Sequence, residues 1–400
     1  MSETTNTNLP KVSRKVALDR VKKMMSIPGK SCHEKEIVEF ITEELKDAGV
    51  PQSAIQVDST PKVSPAGGEV GNLIVKLKGT KKGPRRLLMA HIDTVPLCVG
   101  SRPVQKGDVI VARDPQTALG ADNRAGASVV LTAILEILRQ DLPYPPLTLF
   151  WPVQEEIGLL GARHVSLSKL GNPQLCFNWD GSFPEAITIG ATGDYAIHIE
   201  IEGLASHAGV HPERGVNAIA IAGRAIADLV ENGWHGLIVK GKNRGTSNIG
   251  FVEAGEATNV VTPRLVLRAE ARSHDPKFRS KIVKEYQAAF ERAAKAIKND
   301  EGKTGRVNFS ADLKYESFQI PESEPVVQVA IAATEAVGLT PETKISNGGL
   351  DANWLSARGL PTVTMGCGQQ NVHTVDEALH IESYLHACQV GLVLATDCLG

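Results

Sequence analysis

The chain has 400 residues, 42% of them hydrophobic, and a formal net charge of −2 at pH 7. That length supports a large core divided over at least two domains, and dispersed Lys and Arg residues exclude the electrostatic footprint of a nucleic-acid binder. Met1 to Pro10 is polar and no later run approaches the length of a bilayer span, so a cytoplasmic protein without a membrane partner is expected.

After Ser31, with Glu34 three residues on as a capping box, Ile37, Ile41 and Leu45 recur at every fourth position until Gly49, which predicts an amphipathic helix. Short apolar runs follow at Asn72 to Leu77, Arg86 to His91, Leu147 to Val153 and Leu175 to Asp180. Between them Val129, Val130, Ala133, Ile134 and Ile137 share one helical face. This alternation predicts an α/β fold, a mixed and mostly parallel sheet with helices on both faces. From residue 189 to 316 the order becomes strand (Tyr195 to Ile201), helix (Val216 to Val230), two strands (Ser247 to Glu253, Leu265 to Arg272), helix (Phe278 to Ile297) and strand (Val307 to Tyr315). That order predicts an inserted ferredoxin-like α+β domain. Helix and strand patterns return at Val326 to Val337 and Thr362 to Met365, and a helix closes the chain from Ile381 to Leu394. Residues 1–188 and 317–400 are therefore expected to form one catalytic domain and 189–316 a second. The six cysteines stand far apart without a C-x-x-C pair and read as buried thiols, neither a disulfide framework nor a zinc knuckle.

Metal-type side chains end five scattered segments: His91, Asp122, the pair Glu155 and Glu156, Asp180, and His373. Water-activating zinc takes imidazole and carboxylate ligands, and two ions that share one carboxylate need about five protein ligands with positions left open. His91, Glu155 and Asp180 close or just follow predicted strands, and ligands of open α/β sheets bind outside the carboxyl ends of strands, so these residues gather at one rim. His91 and Asp93 lie two apart in extended chain, which lets Asp93 grip the second ring nitrogen. The glycines around Asp122 allow a tight turn that presents its carboxylate ahead of a helix, either as a bridge between ions or as a plain cap. Adjacent acids at a buried rim repel unless a cation or proton intervenes. Glu156 then reads as a ligand and Glu155 as the general base that takes a proton from water and returns it to the leaving amine. Three carboxylates and one hydroxide neutralise two dications with both histidines uncharged.

The segments His91-Ile92-Asp93-Thr94-Val95-Pro96, Gly120-Ala121-Asp122-Asn123-Arg124-Ala125-Gly126, Glu155-Glu156-Ile157-Gly158 and Ser206-His207-Ala208-Gly209 resemble those of the zinc metallopeptidase family that includes peptidase T, aminoacylase and glutamate carboxypeptidases. The resemblance implies two divalent ions, most simply zinc, one held by His91 and Asp180, the other by Glu156 and His373, with Asp122 on both. It implies Glu155 as base, Asp93 as the partner of His91, and an inserted domain that serves as lid and homodimer surface, from which His207 helps hold the oxyanion. Asn259 and Arg272 resemble the lid pair that holds the substrate's carboxylate or carbonyl, although Arg272 beside Arg268 and Glu270 also fits a surface ion pair. The loop Asn347-Gly348-Gly349-Leu350-Asp351 matches a family feature that implies substrate contacts at Gly349 and Asp351. One departure is visible: relatives commonly carry Asp-Asp at the bridging turn, often with a cis peptide after the first, whereas here Asn123 follows Asp122.

Aspartate at position 180 is typical of the aminopeptidase and dipeptidase branches, so the resemblance favours a short peptide as substrate, cleaved in the manner of peptidase T to release its N-terminal residue. The nearest alternative is an N-acyl amino acid deacylase or a carboxypeptidase, and a metal-free binding module is an alternative of another class. No G-x-S-x-G elbow, no cysteine in a nucleophile setting and no glycine-rich phosphate loop is present, which disfavours a serine or cysteine hydrolase.

Overall fold

The computed structural model describes residues 9–399. They form two compact units, one holding the chain up to Ala191 and from Gln319 onward, the other Thr192–Phe318.

A nine-stranded mixed sheet runs through the larger unit. The strand Arg86–Met89 lies parallel to Leu147–Trp151 on one side and to Leu175–Gly181 on the other, and Leu175–Gly181 is parallel to Thr362–Gly366. Leu73–Leu77 and Ile55–Val57 extend the sheet antiparallel beyond Leu147–Trp151, and Ala186–Ala191 pairs antiparallel with Thr362–Gly366. The four parallel strands are buried along almost their whole length, as strands covered on both faces must be. Side-chain alternation sorts those faces. Ile74, Leu87, Met89, Phe150 and Cys176 pack against Val165, Leu170 and Leu355, whereas Trp151 points the other way and donates its indole N–H to Ala127 O at 3.2 Å. The expected α/β architecture is thus present.

The helix Ala121–Gln140 is buried on all sides from Ala121 to Ile137, which marks it as a core helix rather than an amphipathic one. It meets the closing helix Ile381–Thr396 at Gly391, where a Cβ would lie 2.9 Å from Val129 Cγ1 and 3.5 Å from Trp179. The capping box expected at Ser31 does not form. The helix begins at Lys35, and Ser31 Oγ donates instead to Asp93 Oδ2 at 2.6 Å. Glu34 accepts from the N–H of Cys32 at 2.9 Å and of Gln154 at 3.1 Å.

A second sheet of four short antiparallel strands, Gln369–Gln370, Ala378–His380, Val109–Ala112 and Pro103–Lys106, has no counterpart in the sequence-based expectations. Its strands span two to four residues, too few to show a period. The loop that joins its first two strands carries His373.

In the smaller unit the strands Gly193–Glu202, Asn243–Ala254, Arg264–Ser273 and Arg306–Tyr315 alternate with the helices Ala218–Glu231 and Pro276–Ala296 in the β-α-β-β-α-β order. A hairpin strand, Gly236–Lys240, adds one edge. Both helices cover a single sheet face, where Ile197, Ile199 and Ile201 meet Ile221, Ala225, Ile282 and Phe290. Asn217 and Asp275 cap them, each accepting two backbone N–H bonds of the first turn. Among the described residues no helix is long and apolar enough to cross a membrane. All six cysteines are free thiols; four are buried as expected, but Cys32 is half-buried and Cys398 exposed.

The close approach at Gly391 yields a direct expectation. Gly391→Ala forces a methyl into Val129 and should lower stability by about 1–3 kcal/mol, read as a lower urea midpoint at unchanged m-value.

Candidate metal centre

Three adjacent parallel strands deliver the first ligands. His91 stands two residues beyond Arg86–Met89, Glu155 and Glu156 follow Leu147–Trp151, and Asp180 lies at the end of Leu175–Gly181, all at the carboxyl edge where open sheets bind ligands. Asp122 comes from the irregular first turn of Ala121–Gln140, where Asp122 (φ −80°, ψ 107°) and Asn123 (φ −120°, ψ 40°) are not helical and the peptide between them is cis. Gly120, at φ +81°, starts this turn in the left-handed region that glycine enters without strain. His373 arrives from the hairpin of the small sheet, also left-handed at φ 64°.

The side chains converge. His91 Nε2 lies 3.3 Å from Asp122 Oδ1 and 3.7 Å from Asp180 Oδ1. His373 Nε2 lies 3.2 Å from Asp122 Oδ2 and 2.9 Å from Glu156 Oε2. Asp122 therefore turns one oxygen to each histidine. Two groups result, His91 with Asp122 and Asp180, and Asp122 with Glu156 and His373, each with its donor atoms within 4.8 Å of one another. Glu155 Oε2 approaches His91 Nε2 to 3.9 Å and belongs to neither group.

The electrostatics fit divalent cations. Burial pushes the Glu155 carboxyl well above its usual range, with the charges of Asp180, Asp351 and Glu156 adding to it against the pull of His91. Burial likewise lifts Glu156 to about 7 and Asp180 to about 6, the neighbouring Asp122 contributing to both. Asp122 is held well below the ordinary carboxylate range because hydrogen bonds from His373 and His91 outweigh its burial. Those bonds and the Glu156 carboxylate raise His373 to about 10. Protons thus collect where cations would otherwise be held, and metal binding releases such protons. Asp122 Oδ1 is buried, and its contact with His91 Nε2 at 3.3 Å falls short of a well-aligned hydrogen bond, an arrangement that a cation between the two would relieve. Neither donor group includes a cysteine, and burial with the charges of Asp180 and Asp122 pushes the nearby Cys367 thiol up.

Asp93 organises this rim from beneath. It is fully buried, and its carboxylate accepts from Glu155 N–H at 2.9 Å, Glu156 N–H at 3.2 Å and Ser31 Oγ at 2.6 Å. His91 Nδ1 lies 3.2 Å from the Asp93 backbone O and 3.3 Å from its Oδ1. An N–H at Nδ1 leaves Nε2 with its lone pair free for the site. Gln154 precedes the acid pair at φ 59°, and its amide is held by Ser64 Oγ at 2.6 Å and Gly67 O at 2.7 Å. Ser31 was legible only as a cap, and a carboxylate not singled out in the sequence, Glu377, accepts the N–H groups of Gly120 and Asp122 at 2.7 and 2.9 Å. Its place four residues after His373 was the available signal.

The remaining candidates belong to neither donor group. Asp351 is 1% exposed, and both its oxygens are enclosed without a hydrogen-bond partner. From that position it reaches the rim through charge, not through an open substrate surface. Gly349 is half-buried in the preceding loop. In the smaller unit, Ala208 N–H donates to Asn259 O at 2.9 Å and His207 bridges to Val260, so His207 and Asn259 share one end of the sheet. Arg272 is not paired with Asn259. It lies eight residues beyond Arg264 on one strand, about 26 Å along at ~3.3 Å per residue. There Arg272 donates to Glu270 through Nε at 3.0 Å and Nη2 at 2.9 Å, the ion-pair alternative raised above.

Residues 87–397 match the model of Peptidase family M20/M25/M40. The chain belongs to this family. Over 387 residues this M20 chain is 31% identical to protein YqjE of Bacillus subtilis, covering 96% of the chain and 99% of YqjE. Aminopeptidase PepT from Bacillus cereus is 30% identical with a TM-score of 0.83, covering 97% of the M20 chain and 100% of PepT. A tripeptidase from Staphylococcus aureus is 29% identical with a TM-score of 0.86, covering 96% and 99%.

In this M20 member Asn123 has a defined structural use. Its Nδ2 donates to Trp179 O at 2.6 Å and its Oδ1 accepts from Gly126 N–H at 3.1 Å, tying the bridging turn to the strand that ends in Asp180. A Cβ at Gly126 would sit 2.3 Å from both Asn123 Oδ1 and Trp179 O. An ionised aspartate accepts only. Asn123→Asp should therefore cost about 1–3 kcal/mol, measured by denaturant unfolding with a chelator present so that metal binding does not mask the loss.

Proposed function

We propose that the chain hydrolyses the first peptide bond of short peptides and releases the N-terminal residue, with two zinc ions as its cofactor. The observation that carries this reading is Asp122, one oxygen toward His91 and the other toward His373, with Glu155 beside the first group and outside both. Two imidazoles and three carboxylates form a donor set suited to zinc, with His91, Asp122 and Asp180 for one ion and Asp122, Glu156 and His373 for the other.

Bound there, the ions would supply Lewis acidity toward the scissile carbonyl and acidify a water to near-neutral pKa. The chain's own groups do the rest. Glu155, beside the first donor group and outside both, takes the water's proton on its carboxylate and hands it to the leaving amine. Asp93 fixes the His91 tautomer and the backbone of both glutamates, keeping base and ligand in register. His207 accepts from Gly209 N–H at Nδ1, 3.2 Å away, which leaves Nε2 as the ring nitrogen that can donate to an oxyanion.

Release of an N-terminal residue is supported by Asp180 and by the likeness to an aminopeptidase and a tripeptidase. Arg272, which a deacylase or carboxypeptidase would turn to a substrate carboxylate, is occupied by Glu270.

Glu155→Gln should lower kcat by about 10²–10⁴-fold while zinc content by elemental analysis stays near two per chain. Parallel loss of metal and turnover would make Glu155 a ligand instead. Separately, kcat/KM should be highest for a free tripeptide, lower for its N-acetyl form and lowest for an N-acyl amino acid. A preference for the blocked substrates would reject the aminopeptidase assignment.

A further inference from the structure

The hairpin between Gln369–Gln370 and Ala378–His380 carries two acid–base side chains with different surroundings. His373 is half-exposed and reaches Asp122 and Glu156. Glu377 is 1% exposed and touches no candidate metal position. Its Oε2 accepts from Gly120 N–H at 2.7 Å and its Oε1 from Asp122 N–H at 2.9 Å. Both oxygens therefore hold the backbone of the same turn, the one that presents the bridging aspartate.

Burying a further negative group beside Asp122 is unfavourable. A neutral glutamine fills the same volume without that cost, but it has one acceptor oxygen. Its NH₂ would face a backbone N–H, leaving a buried donor unpaired. The local chain is itself organised to present Glu377, whose N–H donates to Thr374 O at 3.2 Å while Thr374 Oγ1 donates to Asn371 O at 2.7 Å. One short loop thus supplies a direct donor and, four residues later, the clamp on the donor shared with it.

We propose that Glu377 is a positioning residue that registers the bridging Asp122 against His373, so that the affinity for the ion between Asp122, Glu156 and His373 depends on it. This rests on the two-metal reading above. Asn123 ties the same turn to the opposite side through Trp179 O, so releasing Glu377 frees the turn on the His373 side alone.

The test is calorimetric binding of Zn²⁺ to the metal-free full chain, wild type against Glu377→Gln and Glu377→Asp, with unfolding midpoints recorded for each. Wild type should take up two ions. Glu377→Gln should weaken one ion by about 10- to 100-fold and the other by no more than about threefold. Glu377→Asp, which keeps two acceptor oxygens, should fall between the two. In saturating zinc, Glu377→Gln should show a lowered kcat for a tripeptide at nearly unchanged KM. A Glu377→Gln protein that binds both ions like wild type, whatever its unfolding midpoint, overturns the proposal. So does Glu377→Asp binding no better than Glu377→Gln. If Glu377→Gln does not fold, wild-type affinities in Glu377→Asp overturn it equally. Uptake of less than one ion by wild type would instead sink the two-metal reading itself.

Discussion

One carboxylate facing two ways governs this structure. Asp122 directs an oxygen to His91 and an oxygen to His373, and a carboxylate in a regular first helical turn would have no reason to be held in that attitude. The turn is instead fixed from three sides. Gly120 permits the left-handed entry, Glu377 holds the amides on the hairpin side, and Asn123 bonds the strand side. Each contact is ordinary in size, about 1 kcal/mol net for a typical hydrogen bond. Together they determine where charge meets charge.

The cost of that convergence is electrostatic. Glu155, Glu156, Asp180 and Asp351 all sit where burial and mutual repulsion disfavour ionisation. Part of the balance comes from within the fold. Arg124, two residues after the bridging aspartate, is fully buried, with Asp93 and Glu34 acting on its guanidinium and burial lowering it to about 10. The backbone contributes strain as well, since Gln154 and His373 both occupy the left-handed region, at a cost on the order of 1–3 kcal/mol each. Gln154 is held there by Ser64 and Gly67. Strain concentrated on the two loops that supply Glu156 and His373 is what a preorganised binding site requires of its scaffold.

Much of this was legible in the sequence because it obeys short-range rules. Apolar runs that end in acids gave both the parallel strands and the rim, and a β-α-β-β-α-β pattern gave the smaller unit. What escaped detection depends on chain distance. Ser31 satisfies the grammar of a helix cap, yet its partner is Asp93, 62 positions away. Glu377 resembles any loop glutamate until the turn at Gly120 is brought against it. The small sheet is built from strands too short for periodicity. Arg272 and Asn259 follow from resemblance as residues, but only strand length reveals that they stand at opposite ends. Resemblance conveys identity, and reach has to come from geometry.

Asp93 has one more consequence. Because a single buried carboxylate receives the amides of both Glu155 and Glu156, the two neighbours are geared to each other. On the proposed two-ion reading, a cation of larger radius that displaced Glu156 would shift Glu155 with it, so exchanging the metal would alter proton delivery along with binding strength. On that reading ionic size becomes a kinetic variable, set by a side chain that belongs to neither donor group.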